Sequence, residues 1–190
     1  EATVENVKAL NPYAIFNATG GTPITPKIPG YDLPNVYTPD QVLRGDVKFE
    51  GKKVAVIGSG MTGLETAEFL SDEGNDIIVV EMAEELAPGT WNQHKMDVIP
   101  KLEERGAQLL PGWKLVEMRA DSVEVEDVKV AGRMKNVPCD AIIMSLGVRP
   151  LGLDEAILAQ ADLTFTVGDA EGAGRIAKAT HEAYKAAMSL

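Results

Sequence analysis

The chain is predicted to be an α/β protein built on a parallel sheet. Three observations predict it. An apolar run, Val54–Ile57, breaks directly into Gly58-Ser59-Gly60-Met61-Thr62-Gly63, and a helix-like pattern follows at once. A second apolar run, Ile77–Val80, closes on an acidic residue, Glu81. A third, Ala141–Met144, is continuous rather than alternating, as strands buried on both faces are.

The glycine loop is the most informative stretch. It is G-x-G-x-x-G between a strand and a helix, the setting in which the motif has a physical meaning. Gly58 allows the tight turn, Gly60 lets a pyrophosphate approach the backbone, and Gly63 lets helix and strand pack closely. The helix N-terminus presents unpaired N–H groups and a partial positive charge, so a phosphate is held without Lys or Arg. The pattern predicts a Rossmann-like dinucleotide fold. A chance match or a degenerate fold that binds nothing is the bland alternative. The flanking strand, the helix and the placed acid weigh against it.

Glu81 stands where the fingerprint places a carboxylate for the adenosine ribose. Such a group accepts from the ribose hydroxyls and repels a 2′-phosphate. The neighbours Met82, Ala83, Glu84 and Glu85 offer no cation to hold one. The loop therefore favours NAD(H) over NADP(H), or else the ribose of FAD. The alternative for Glu81 is a surface residue that merely caps a strand.

The other elements follow in order. Val4–Leu10 is a short segment, polar on one face, and Tyr13–Asn17 reads as a buried strand stopped by Ala18-Thr19-Gly20-Gly21. The stretch holding Pro23, Pro26, Pro29, Pro34 and Pro39 reads as an irregular connector. Leu64, Ala67, Phe69 and Leu70 give the helix after the loop one apolar face, ending near Gly74. A second helix is expected over Met96–Arg105 and a short strand over Gln108–Leu110. Trp113–Met118, Ser122–Glu126 and Val128–Ala131 alternate like an antiparallel meander, which serves as a crossover. The tail reads as a strand at Leu163–Val167, a turn at Gly168-Asp169-Ala170 and a helix from Gly174 to Met188.

Composition narrows the function classes. The 190 residues carry 29 acidic and 18 basic side chains, a net charge of −11, which argues against nucleic acid and anionic membrane surfaces as partners. The apolar runs are too short for a membrane span. The single cysteine, Cys139, forms no intrachain disulfide or Cys-rich metal site and is expected to be a packed thiol. With no leader apparent, a cytoplasmic location is expected. The chain starts at Glu1 rather than Met, which is read as a processed or excised piece. His94 is read as a surface loop residue, with an acid/base role as the alternative. His181 is read as a helix-face residue, and no metal site is expected.

Four motifs occur in a particular order: A-T-G-G (Ala18–Gly21), K-V-A-V-I-G-S-G-M-T-G-L-E-T-A (Lys53–Ala67), S-L-G-V-R-P (Ser145–Pro150) and V-G-D-A (Val167–Ala170). In that order they resemble the two-dinucleotide-domain flavoproteins of the pyridine nucleotide-disulfide oxidoreductase fold. The nearest flavour is the C-terminal FAD/NAD(P)-binding part of NADH:flavin oxidoreductases of the 2,4-dienoyl-CoA reductase and enoate reductase type. The resemblance implies an NAD(H)-binding domain over residues 49–147, with a parallel sheet and a meander crossover. It implies partial flavin-binding pieces over 1–48 and 148–190. Gly58, Ser59, Gly60, Met61, Thr62, Gly63, Glu65, Glu81 and Gly147 would then serve NAD(H), and Thr19, Gly20, Gly168 and Asp169 the flavin. The family's first glycine loop and its redox cysteine pair are absent from this sequence. The chain thus reads as one piece of a larger enzyme whose remaining domains are its partners. NADH would pass hydride to an enzyme-bound flavin, for reduction of a small-molecule acceptor such as an activated C=C bond. No side chain is expected to act as a catalytic acid or base, and FAD binding by this piece alone is expected to be weak or absent. A fragment of an NADH oxidase or disulfide reductase, and a non-catalytic NAD(H)-sensing module, are the alternatives.

Overall fold

A computed structural model describes all 190 residues, Glu1–Leu190. In chain order, the first elements are α1 (Val4–Leu10), β1 (Ala14–Asn17), β2 (Gly21–Pro23), β3 (Val36–Tyr37) and α2 (Pro39–Leu43). Then come β4 (Lys53–Ile57), α3 (Met61–Asp72), β5 (Asp76–Glu81), α4 (Asn92–Glu104) and β6 (Gln108–Pro111). The meander is β7 (Trp113–Met118), β8 (Ser122–Asp127) and β9 (Met134–Pro138). The chain closes with β10 (Ala141–Met144), β11 (Val148–Pro150), α5 (Glu155–Leu158), β12 (Leu163–Thr166), a 3-10 turn at Gly168–Ala170 and α6 (Ile176–Ala187). By contact these form two compact units, Ile24–Gly147 and Glu1–Pro23 with Val148–Leu190. Residues 24–48 therefore group with the glycine-loop unit.

The larger unit is a five-stranded sheet in the order β3-β10-β4-β5-β6, all pairs parallel. Alternation along each strand divides its side chains between two cores. Val54 and Val56, Ile77 and Val79, and Ala141 and Ile143 face one way, against Leu64, Ala67 and Leu70 of α3 and Val98 and Leu102 of α4. Ala55 and Ile57, Ile78 and Val80, and Ile142 and Met144 face the other way, against Leu115, Met118, Val123, Val125 and Val137 of the meander. Burial on both faces is why these strands read as unbroken apolar runs. Only one face of β7–β9 is covered, so its other face carries pairs such as Lys114–Glu126 at 2.9 Å and Arg119–Glu124 at 3.0 Å.

The polar anchor of the helix layer is Asn75, 7% exposed. Its amide donates to the carbonyls of Leu70 (2.9 Å) and Phe49 (3.1 Å), and its oxygen accepts from the Lys52 N–H (3.0 Å). One side chain thus closes the C-terminal end of α3, where Gly74 turns out with φ +82°, and ties it to the approach of β4.

Several boundaries differ from the sequence expectation. Val4–Leu10 is a helix, started by the Thr3 hydroxyl accepting from the Asn6 N–H. The proline-rich connector contains β2, β3 and α2. Pro39 sits in the first turn of α2, where a missing N–H costs nothing. Helix α4 begins at Asn92, a turn earlier than its apolar pattern, because Asn92–Lys95 are polar and leave no period to read. The third meander strand is Met134–Pro138, not Val128–Ala131. The latter is a turn whose Lys129 and Val130 N–H groups are held by Asp127 Oδ1.

The smaller unit holds a parallel pair, β1 with β12, and an antiparallel pair, β2 with β11. Phe16 and Phe165 stack across the parallel pair with centroids 5.0 Å apart. No helix in the chain is long and apolar enough to cross a membrane.

Cys139 is 4% exposed, between β9 and β10. Burial, with Asp140 and Asp121 nearby, pushes its thiol up to about 12. Since the thiolate is the reactive form, the folded protein at pH 8 should resist an aromatic disulfide reagent, and labelling should become rapid and stoichiometric only in guanidinium. Rapid labelling of the native chain would contradict the packed-thiol assignment.

Candidate functional site

The strand order reverses at β4. From β4 the chain moves to β5 and β6, then returns through the meander to β10 on the other flank of β4. In open α/β sheets the crevice beyond the strand C-termini at such a reversal is where ligands bind. A cavity of about 460 Å³ lies there. Its walls come from the ends of β4 (Ile57, Gly58, Gly60), β5 (Val80, Glu81, Met82) and β10 (Ser145, Leu146, Gly147), and from Trp113–Leu115 of β7.

Backbone bonds set these ends level. The Gly58 N–H donates to the Val80 carbonyl (2.8 Å), and the Ser145 N–H to the Ile57 carbonyl (2.8 Å). Gly58 takes φ +97°, and a Cβ on it would overlap the Ser145 carbonyl. A Cβ on Gly63 would overlap the Gly58 carbonyl, so α3 rests directly on the loop. Gly60 caps α3 and has open space where a Cβ would stand. That opening, at a helix N-terminus of 12 residues, fits a phosphate held by backbone N–H groups.

Glu81 is buried, 9% exposed, and it is not bare. Its Oε2 accepts from the Ser59 N–H (2.8 Å) and the Ser59 hydroxyl (2.7 Å), and its Oε1 accepts from the Ala83 N–H (2.8 Å). Ser59 Oγ in turn accepts from the Ala87 N–H (2.8 Å). Of the residues that the sequence points to for NAD(H), the structure gathers Gly58, Gly60, Glu81 and Gly147 at the cavity. Ser59 and Gly63 are buried beneath it, while Met61, Thr62 and Glu65 lie exposed on α3 outside its walls.

Sequence reasoning did not identify Met82, Trp113, Lys114, Ser145 or Leu146 as cavity residues. The available signal was positional: each lies at or just after a strand end, or at the first strand of the meander. Trp113 also carries Arg133 and Lys135 near its ring, at 5.8 and 5.5 Å from the centroid.

The smaller unit has its own cavity, about 480 Å³, lined by Ala18, Gly20, Val167, Gly168, Asp169 and residues of α6. Gly168 N–H donates to Glu182 Oε2 (2.9 Å), and the Gly174 N–H to Asp169 Oδ1 (2.9 Å). The Lys178 ammonium and the Gly168 N–H hold the Glu182 carboxyl below its usual range. Thr19 lies outside the walls, its hydroxyl directed at Asn17 Oδ1 (2.8 Å) and the Leu151 carbonyl. No group of three or more His, Cys, Asp or Glu side chains is gathered to hold a metal. His94 is half-buried in the first turn of α4, away from both cavities.

Comparison with known proteins gives the family. The pyridine nucleotide-disulphide oxidoreductase family model matches residues 2–171, and the chain belongs to that family. A bilirubin reductase of Mediterraneibacter gnavus (strain CC55_001C) is 35% identical over 191 residues, covering 100% of this chain and 29% of the relative. An NADH oxidase of Thermoanaerobacter brockii is 27% identical over 194 residues, covering 100% of this chain and 30% of the relative. A solved 2-naphthoyl-CoA reductase superposes with a TM-score of 0.88 at 25% identity, over 100% of this chain and 29% of that one. The chain thus spans about three-tenths of the length of these relatives. NAD(H) and FAD are the cofactors that membership brings. The residues fit the first at the larger cavity, through the open Gly60 and the Glu81 carboxylate. At the smaller cavity, Ala18, Gly20 and Gly168 present little side chain, and Asp169 is the acid on its wall, which fits part of a flavin site.

The glycine geometry separates folding from binding. Gly63→Ala should destabilise the chain by roughly 1–3 kcal/mol in urea unfolding, through overlap with backbone. Gly60→Ala should cost about 1 kcal/mol or less, as an exposed cap change, yet weaken dinucleotide binding in a titration. Equal stability losses at the two sites would contradict the packing described.

Proposed function

We propose that residues 24–147 form the NAD(H)-binding domain of a flavin-dependent oxidoreductase, and that residues 1–23 with 148–190 contribute the later part of its flavin-binding domain. The observation that carries this reading is the switch-point cavity with an open glycine loop on one wall and a buried carboxylate on another. When bound, the pair of cofactors would supply the redox chemistry, a hydride passing from the nicotinamide, which is thereby oxidised, to the flavin, which is thereby reduced. This chain's residues bind and orient. Gly60 and the first turn of α3 hold the pyrophosphate, and Glu81 faces the adenosine ribose. Met82 and Trp113 wall the adenine side, and Gly147 at φ +88° leaves room for the nicotinamide. No side chain in either cavity is given an acid or base role.

The remaining domains of a larger enzyme would carry the reducible substrate, a small molecule with an activated double bond or a related acceptor. Reductases among the relatives, including a cinnamate reductase of Clostridium sporogenes similar over 45% of this chain, support a reductase rather than a sensor. A cytoplasmic setting is part of the same proposal.

Titration of the chain with NADH tests the reading. There are two tryptophans, and Trp91 is 63% exposed while Trp113 lines the cavity. In a Trp91→Phe background, saturable quenching of Trp113 by NADH is expected, and its absence at millimolar NADH would overturn the proposal. A like charge about 4 Å away costs roughly 1–4 kcal/mol between water and a protein surface. Glu81→Gln should therefore raise NADPH affinity by about tenfold or more, and a wild-type preference for NADPH would refute the role of Glu81.

A further inference from the structure

We propose that Ser59 is a positioning residue: its side chain fixes the Glu81 carboxylate and thereby sets the discrimination between NADH and NADPH. The inference rests on the NAD(H) reading above. Ser59 occupies the first variable place of the glycine motif, among the residues that the family resemblance assigns to NAD(H). Here it is fully buried, 0% exposed, and turned away from the cavity.

A hydroxyl has one proton to donate and two lone pairs. Ser59 donates that proton to Glu81 Oε2 at 2.7 Å and accepts from the Ala87 N–H at 2.8 Å. Its own N–H reaches the same Oε2 at 2.8 Å. Oε2 is thus satisfied by two donors from one residue, while Oε1 takes the Ala83 N–H and keeps an acceptor direction for ligand. A carboxylate held by three donors does not swing aside, so its charge stays in place against a 2′-phosphate. Bonds of this kind, to an ionised acceptor, are the strong ones.

The same hydroxyl restrains the loop after β5. Ala87 is completely buried at φ +51°, a conformation that costs a non-glycine residue energy and persists only where surroundings enforce it. Its N–H has Ser59 Oγ as partner. The relay Ala87–Ser59–Glu81 therefore ties three things together: the glycine loop, the end of β5 and the loop over Met82–Gly89. Removing one oxygen atom breaks both links of the relay, so Glu81 keeps its charge but loses one of the donors that hold it in position.

Ser59→Ala in the full chain tests this, with dissociation constants for NADH and NADPH measured by Trp113 quenching and the melting temperature measured alongside. Losing a hydrogen bond to a charged group is worth about tenfold in a dissociation constant. NADH binding should weaken about tenfold while NADPH binding changes little or improves, so the NADH:NADPH preference should fall about tenfold. Ser59→Cys keeps the bulk but is a poor hydrogen-bonding partner, and it should group with Ser59→Ala. A variant that melts lower yet keeps the wild-type preference, or weakens both nucleotides in equal proportion, overturns the positioning role and leaves the NAD(H) reading intact. A wild-type chain that binds neither nucleotide overturns both.

Discussion

The site depends on three strand ends being level. Ile57, Glu81 and Met144 finish β4, β5 and β10 at one edge of the sheet because the three strands are parallel and in register, Ile57 with Val80 and with Met144. Two backbone bonds, Gly58 to Val80 and Ser145 to Ile57, carry that register one residue beyond the strands. At this edge the chain turns from one flank of β4 to the other. A crevice opens with Gly58, Gly60 and Gly147 on its glycine side and the larger side chains of Met82, Trp113 and Leu146 among its other walls. A shift of one residue along β5 would exchange its two core faces and carry Glu81 out of reach of Ser59.

The chemistry of that crevice is electrostatic economy in an acidic protein. With 29 acidic against 18 basic residues, the chain offers little general attraction for a phosphate. The positive end of α3 and its unpaired N–H groups supply a local one that the net charge does not cancel at contact distance. The one acid placed beside it, Glu81, is neutralised in hydrogen-bonding terms by Ser59 and Ala83, which is how a carboxylate tolerates 9% exposure without a cation. The surface pairs, such as Lys101 with Glu68 at 2.9 Å, join α4 to α3 on the side away from this site and contribute little by comparison.

Much of this architecture is legible in the residues. Runs such as Val54–Ile57 and Ala141–Met144 have no polar phase, which is the mark of strands covered on both faces, and the glycines locate the turn between strand and helix. Where the reading fell short, the cause was local. Asn92–Lys95 begin a helix with no apolar period to reveal it, and β2, β3 and α2 are too short to emerge from a proline-rich stretch. The third meander strand was misplaced because Val128 and Val130 alternate, yet Asp127 draws their backbone into a turn. The cavity was legible on the glycine side and not on the Trp113 side, since nothing in a sequence says which meander residue reaches back over the sheet.

The sequence by itself determined the class of fold, the place of the phosphate-binding turn and the presence of an acid after the second strand. These follow from chain-local physics: burial periodicity, backbone freedom at glycine and residue spacing. Only the tertiary structure decided what the acid does with its lone pairs. Ser59 lies 22 residues before Glu81 and 28 before Ala87, and nothing in either local window says that they bond. Their hydrogen bonds exist because β4 and β5 pair in one register, and that register is set by two hydrophobic cores whose members come from every part of the larger unit.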